Sequence, residues 1–83
     1  MIRILFIDDD PQAHKKMKMV LEDGYVVRSA YTGTQGMELL LADAPDVILL
    51  DVDLPDQSGM DVLQQILSIP LAPPTIMLTV SSI

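Results

Sequence analysis

The sequence predicts an α/β fold built on an open parallel sheet, in the order β-α-β-α-β-α-β. Two observations carry this. Short apolar runs at Ile2 to Ile7, Tyr25 to Ala30, Val47 to Leu50 and Thr75 to Val80 are rich in β-branched residues and too far apart for hairpins. Between them the apolar spacing changes to about 3.6, the period of a helix packed along one face. Most of the strands show little apolar and polar alternation, as expected of parallel strands covered on both faces, so helices should lie on either side of the sheet.

The first strand, Ile2 to Ile7, runs into Asp8, Asp9 and Asp10. Asp10 followed by Pro11 is a helix start: a carboxylate to accept from the first amides, then a proline where no donor is needed. Ala13, Met17, Val20 and Leu21 are then expected inward, Lys15, Lys16 and Lys18 mostly outward, and His14 on the helix surface. Gly24 ends the segment. The second helix is expected over Gly33 to Ala42, opened by the capping box from Thr32 to Gln35, with Met37, Leu40 and Leu41 inward and Ala44-Pro45 as its stop. The third is expected from Gly59 to Ser68, with Ser58 as N-cap and Met60, Leu63, Ile66 and Leu67 on its apolar face. Pro70, Pro73 and Pro74 hold the chain extended into the fourth strand.

The chain of 83 residues carries 12 acidic and 5 basic side chains, a formal charge of −7. All five basic residues lie within the first 28 positions, and seven acids follow without a lysine or arginine. Nucleic acid is an unsuitable partner for such a distribution, because phosphate binding needs clustered positive charge. No run approaches the roughly 20 apolar residues of a membrane span, and the start has no secretory pattern. The absence of cysteine fits a reducing, cytoplasmic setting.

In open parallel sheets ligands bind beyond the carboxyl ends of the strands. Strand one ends at Asp8 and Asp9, strand three at Asp51 with Asp53 two residues on, and strand four at Thr79. Asp8, Asp9 and Asp51 should therefore approach one another, and like charges that close repel unless a cation is present. Carboxylate and carbonyl oxygens suit Mg²⁺, and a strand-end carboxylate beside a divalent ion and a hydroxyl suits phosphoryl chemistry with the carboxylate as nucleophile. The six methionines read as core filler.

The runs Ile4-Leu-Phe-Ile-Asp8-Asp9-Asp10-Pro11 and Pro45-Asp-Val-Ile-Leu-Leu-Asp51-Val-Asp-Leu54-Pro55-Asp-Gln-Ser-Gly59, with Gly24-Tyr25, Thr32-Gly33 and Ile76-Met-Leu-Thr79, resemble the receiver domain of two-component response regulators. The resemblance spans the whole chain and implies a flavodoxin-like (CheY-like) sheet. It implies Asp51 as phosphoacceptor and Thr79 as the switch hydroxyl that donates to the phosphoryl group. It further implies Mg²⁺ held by Asp8 and Asp9, Asp9 directly and Asp8 through water, with Asp51 and the backbone carbonyl of Asp53. The implied partner is a histidine kinase or phosphotransfer protein, and the chain is expected to be a signalling module rather than an enzyme.

Measured against that family, residues 1–83 are expected to form one receiver fragment without a further helix, the fifth strand with its lysine, and the last helix. Val80 stands where most receivers carry a small residue. Two other readings compete. One is a signalling-incompetent fragment that associates through its sheet edge, with a homodimer expected through strand 75–80 or the hinge 70–74. The other is a phosphohydrolase of the haloacid-dehalogenase type, which Asp51-Val-Asp53 imitates; there the motif follows the first strand, and Asp8 and Asp9 would be unexplained.

Overall fold

The computed structural model describes residues 1–21 and 23–78. Four strands, β1 (Ile2–Ile7), β2 (Tyr25–Ala30), β3 (Val47–Asp51) and β4 (Thr75–Leu78), alternate with three helices, α1 (Pro11–Val20), α2 (Gly33–Ala42) and α3 (Gly59–Leu67). All strand pairs are parallel and the order is β2-β1-β3-β4. Over the described residues this is the flavodoxin-like strand order. The direction of progression reverses after β2, so α2 and α3 pack together on one face while α1 occupies the other.

The helix starts follow from local chemistry. Asp10 accepts from the Gln12 amide at 2.9 Å, Thr32 from Gln35 at 3.0 Å and Ser58 from Met60 at 3.2 Å, each satisfying an amide that has no partner within its helix. The Gln35 side chain returns to the Tyr31 amide, one residue before the cap. Gly24 adopts φ +83, and its carbonyl accepts from Ile2, which turns the chain from α1 into β2.

The main core lies between the sheet and α2/α3. Leu5, Ile7, Ala30, Ile48 and Leu50 meet Leu40, Val62 and Ile66 there. Ile4 and Phe6 are buried on the other face. Three inward positions expected from helical spacing are instead exposed: Val20, Leu41 and Leu67. Met60 is also half exposed. Each helix is rotated so that a narrower stripe faces the sheet, Gly33, Gly36 and Leu40 on α2 and Gly59, Val62 and Ile66 on α3. On α1 the buried residue is His14, which the spacing had placed outside.

Close approach explains the glycines in that stripe. A Cβ on Gly36 would sit 2.5 Å from the Ile7 Cδ1, and one on Gly59 would sit 2.3 Å from the Asp51 carbonyl oxygen and 2.6 Å from the Val52 Cα. The end of the sheet away from the acids is tied by Arg3 and Arg28, both paired with Asp43, while Arg28 also donates to the Leu39 and Asp43 carbonyls at the end of α2. Two of the five basic residues are thus engaged in structure. Before β4, Leu71 takes φ 57 with its side chain fully exposed in the proline-flanked turn. The expected extension of the fourth strand to residues 79 and 80 lies outside the described residues.

The two glycines separate a movable contact from a fixed one. Alanine gains about 1 kcal/mol of helix propensity over glycine, and at position 36 the opposing atoms belong to a side chain that can rotate. At position 59 they belong to backbone, and overpacking typically costs about 1–3 kcal/mol. Gly59→Ala should therefore lower the denaturant midpoint clearly, by about 2 kcal/mol of stability, and more than Gly36→Ala; equal midpoints for the two variants would contradict this.

Candidate functional site

The pairing of β1 with β3 aligns Ile7 with Leu50, so both strands deliver an aspartate to the same sheet edge. Asp8 follows β1, Asp9 lies in the turn before α1, and Asp51 closes β3. One carboxylate oxygen of each can be found within 4.8 Å of the others. Asp8 and Asp51 are partly buried and Asp9 is exposed. The location is the switch point where neighbouring crossovers leave the sheet on opposite faces, which opens a crevice above β1 and β3.

Asp8 is held at three points. Its amide donates to the Ala30 carbonyl at 3.0 Å, its Oδ1 accepts from the Asp10 amide at 2.9 Å, and its carbonyl oxygen lies 2.7 Å from the His14 Nε2. Burial pushes the Asp8 carboxyl above its ordinary value; the bond from Asp10 opposes this, and the negative charges of Asp51 and Asp9 add to it. Ionised Asp8 is therefore disfavoured by its surroundings, and a cation among these oxygens would reverse the balance.

Among the described residues Asp51 is held more lightly. Its Oδ1 accepts from the Asp53 amide at 3.3 Å. The next residue, Val52, donates to Leu78 of β4 and accepts from Gly59 at 2.7 Å, which folds the 52–58 loop back onto the strand end. Asp53 is exposed and forms an isolated antiparallel bridge with Ser58. The donor set is thus oxygen alone, from short and partly solvated side chains, the chemistry that Mg²⁺ or Ca²⁺ takes. Phosphoryl oxygens could share such an ion with Asp51.

The structure brings together Asp8, Asp9 and Asp51, and places Asp53 in the adjoining loop; Thr79 lies outside the described residues. Asp10 is the helix cap expected. An apolar groove of about 360 Å³ opens beside the acids, between α1 and the ends of β1, β3 and β4, with Phe6, Met17, Val20 and Leu78 in its walls.

Two residues near the site were missed in the sequence. His14 is 2% exposed and stacked between Phe6 and Tyr31, with ring centroids 4.5 Å away on each side. The available signal was its position four residues after the cap Asp10, which puts it on the helix face above the strand end. Asp56, in the loop after Asp51, accepts from the Gly33 amide at 2.8 Å, the Thr34 amide at 3.0 Å and the Thr34 hydroxyl at 2.8 Å. These partners are more than 20 residues away, so no local pattern announces them.

The response regulator receiver domain family matches residues 4–82. Transcriptional regulatory protein DltR of Streptococcus agalactiae is 35% identical over 82 residues, 98% of this chain and 37% of that protein. Transcriptional regulatory protein KdpE of Mycobacterium tuberculosis is 42% identical over 64 residues, 76% of this chain and 28% of that protein. The chain therefore spans about a third of the length of these relatives. Among solved structures, the N-terminal domain of a response regulator receiver protein from Methanoculleus marisnigri superposes with a TM-score of 0.92 at 31% identity, covering 100% of this chain and 70% of that one. A receiver domain protein (CheY-like) from Methanospirillum hungatei gives 0.91 at 30%, covering 99% and 66%.

The three bonds to Asp56 come from the amino end of α2 and hold its carboxyl well below the usual carboxylate range. A depressed folded-state value adds stability at pH above the ordinary value near 4 and loses it as pH falls toward the depressed one. Asp56→Ala should thus melt lower than the parent at pH 7, and the gap should narrow steadily below about pH 4. A gap in melting temperature that stays constant down to pH 2 would show that the carboxylate charge is not what matters.

Proposed function

The chain belongs to the response regulator receiver domain family, and we propose that it accepts a phosphoryl group on Asp51 from a histidine kinase or phosphotransfer protein. The observation that carries this is the gathering of Asp8, Asp9 and Asp51 at the switch point of the sheet. A carboxylate oxygen of Asp51 attacks phosphorus, the new O–P bond forms as the N–P bond of the donor phosphohistidine breaks, and the electron pair returns to the imidazole. Three negative groups would repel the incoming phosphoryl oxygens. Asp8, Asp9, Asp51 and the backbone carbonyl of Asp53 would hold Mg²⁺, which when bound supplies the positive charge that offsets this repulsion.

This chain's own residues do the positioning. Asp8 is fixed by Ala30, Asp10 and His14, and the folded-back 52–58 loop keeps Asp51 directed into the crevice. Thr79 is assigned as the switch hydroxyl on its motif alone. The match to a receiver domain supports reading the activity as that of a signalling domain rather than of a phosphohydrolase. The relatives are response regulators, which does not favour the self-associating fragment. No described helix is long and apolar enough to cross a membrane; a cytoplasmic site of action accords with the cysteine-free sequence, and a lack of nucleic acid contact from this segment accords with the charge distribution. A homodimer through 75–80 or 70–74 is a separate expectation, which sedimentation equilibrium at micromolar concentration decides.

Incubation with acetyl phosphate and Mg²⁺ should add one phosphoryl group by intact mass. Asp51→Asn should abolish the addition while keeping the fold, since the amide is close in shape and is not a nucleophile. Undiminished uptake by the variant would move the acceptor to another residue, and chelation of the metal should suppress the parent reaction.

A further inference from the structure

We propose that His14 is a positioning residue for the acid site, fixing through its ring the backbone that presents Asp8 and Asp9 to a divalent cation. The inference rests on the receiver reading for the identity of the site, but its evidence is geometric. A carbonyl oxygen can only accept, so the 2.7 Å contact to Asp8 requires the proton on Nε2. The Nδ1 is buried with no partner among the described residues, consistent with the same tautomer. A polar ring 2% exposed is an expensive way to fill a core position, and Phe or Leu would fill it without leaving a buried acceptor unsatisfied.

The ring's neighbours define what it does. Phe6 belongs to β1, Tyr31 follows β2, and His14 itself belongs to the first turns of α1. Tilted stacking on both sides, with interplanar angles of 43° and 48°, leaves little freedom to rotate. The single hydrogen bond therefore transmits the position of three elements to one atom, the carbonyl of Asp8. That carbonyl belongs to the peptide linking Asp8 to Asp9, so its orientation is set together with the Asp9 amide. Meanwhile Asp10 caps the helix that carries His14 and donates to the Asp8 carboxylate. The loop from Asp8 to Asp10 is thus closed on itself by His14, and the acids are pre-set before a cation arrives. Partners that orient metal ligands in this indirect way typically contribute about 10- to 100-fold in metal affinity.

The test uses the full chain with Mg²⁺ alone. Amide shifts of Asp8, Asp9 and Asp51 report binding, and thermal melting without metal reports stability. His14→Phe keeps a ring between Phe6 and Tyr31 and removes the donor; it should melt near the parent yet bind Mg²⁺ about tenfold more weakly. His14→Gln places an N–H where Nε2 was and loses the stacking; it should melt lower yet bind more tightly than His14→Phe. Parent-like affinity in His14→Phe, or no recovery in His14→Gln, overturns the proposal. Long-range ¹⁵N–¹H spectra of the parent give a check that needs no variant: the Nδ1–H tautomer at neutral pH would exclude the bond to Asp8. If the parent binds no Mg²⁺ at these aspartates, the receiver reading fails first, and that outcome is distinct from equal binding by parent and variant.

Discussion

Parallel pairing of Ile4–Ile7 with Val47–Leu50 is the constraint from which the site follows, because strands in register release their chains at the same height. The residue after β1 and the last residue of β3 are then neighbours, and both are aspartate. The fold itself gains nothing from placing them together. Strand interiors supply the favourable term: Leu5, Ile7, Ile48 and Leu50 are all buried against α2 and α3, each contributing about 1.5–3 kcal/mol. That burial fixes a register in which repulsion among the carboxylates is tolerated. Conflict between local electrostatics and global packing of this kind is expected where a site has a task beyond stability.

The loop that leaves Asp51 is held from two directions. Gly59 lets the start of α3 lie directly on the Asp51 and Val52 backbone, where any side chain would meet peptide atoms. Asp56 reaches across to the amino end of α2, satisfying two of its amides and a hydroxyl. The positive end of the α2 dipole and the close packing of Gly33 against Gln57 and Val62 act at the same place. Position and charge therefore agree. The segment carrying the candidate acceptor is joined to α2 as well as to its own strand and helix, although α2 contributes no side chain to the acid cluster.

Strand positions and helix starts were legible in the sequence because their causes are local. Asp10-Pro11, Thr32 to Gln35 and Ser58 act within a few residues of themselves, and the structure uses all three as caps. Helix phase was less legible. Val20, Leu41 and Leu67 satisfy apolar spacing but end up exposed, since a run of adjacent apolar residues permits more than one rotation and contact with the sheet selects between them. Glycine made the selection hard to foresee: α2 approaches β1 through Gly36, a residue with no hydrophobic signal of its own. The acid cluster could be anticipated from strand ends alone. Asp56 could not, because its partners are brought to it by the completed topology, and His14 offered only its spacing from the Asp10 cap, which says nothing of the rings that enclose it.

The restraint of the three acids is uneven, and the unevenness has a physical logic. Asp8 is fixed through its amide, its carbonyl and one carboxylate oxygen. Asp9 is exposed, while Asp51 makes, among the described residues, one long side-chain contact to its own loop. A nucleophilic carboxylate must keep an oxygen unencumbered to form a bond, and strong hydrogen bonds to that oxygen would lower its reactivity. A group that only orients or balances charge benefits from the opposite treatment, since rigidity removes the entropy otherwise lost on binding a cation. The firmly held residue is also the one whose ionised form is disfavoured by burial. Under the proposed acceptor role, Asp8 is the group that would respond to the arrival of positive charge, and Asp51 the one with the lighter restraint among the described residues.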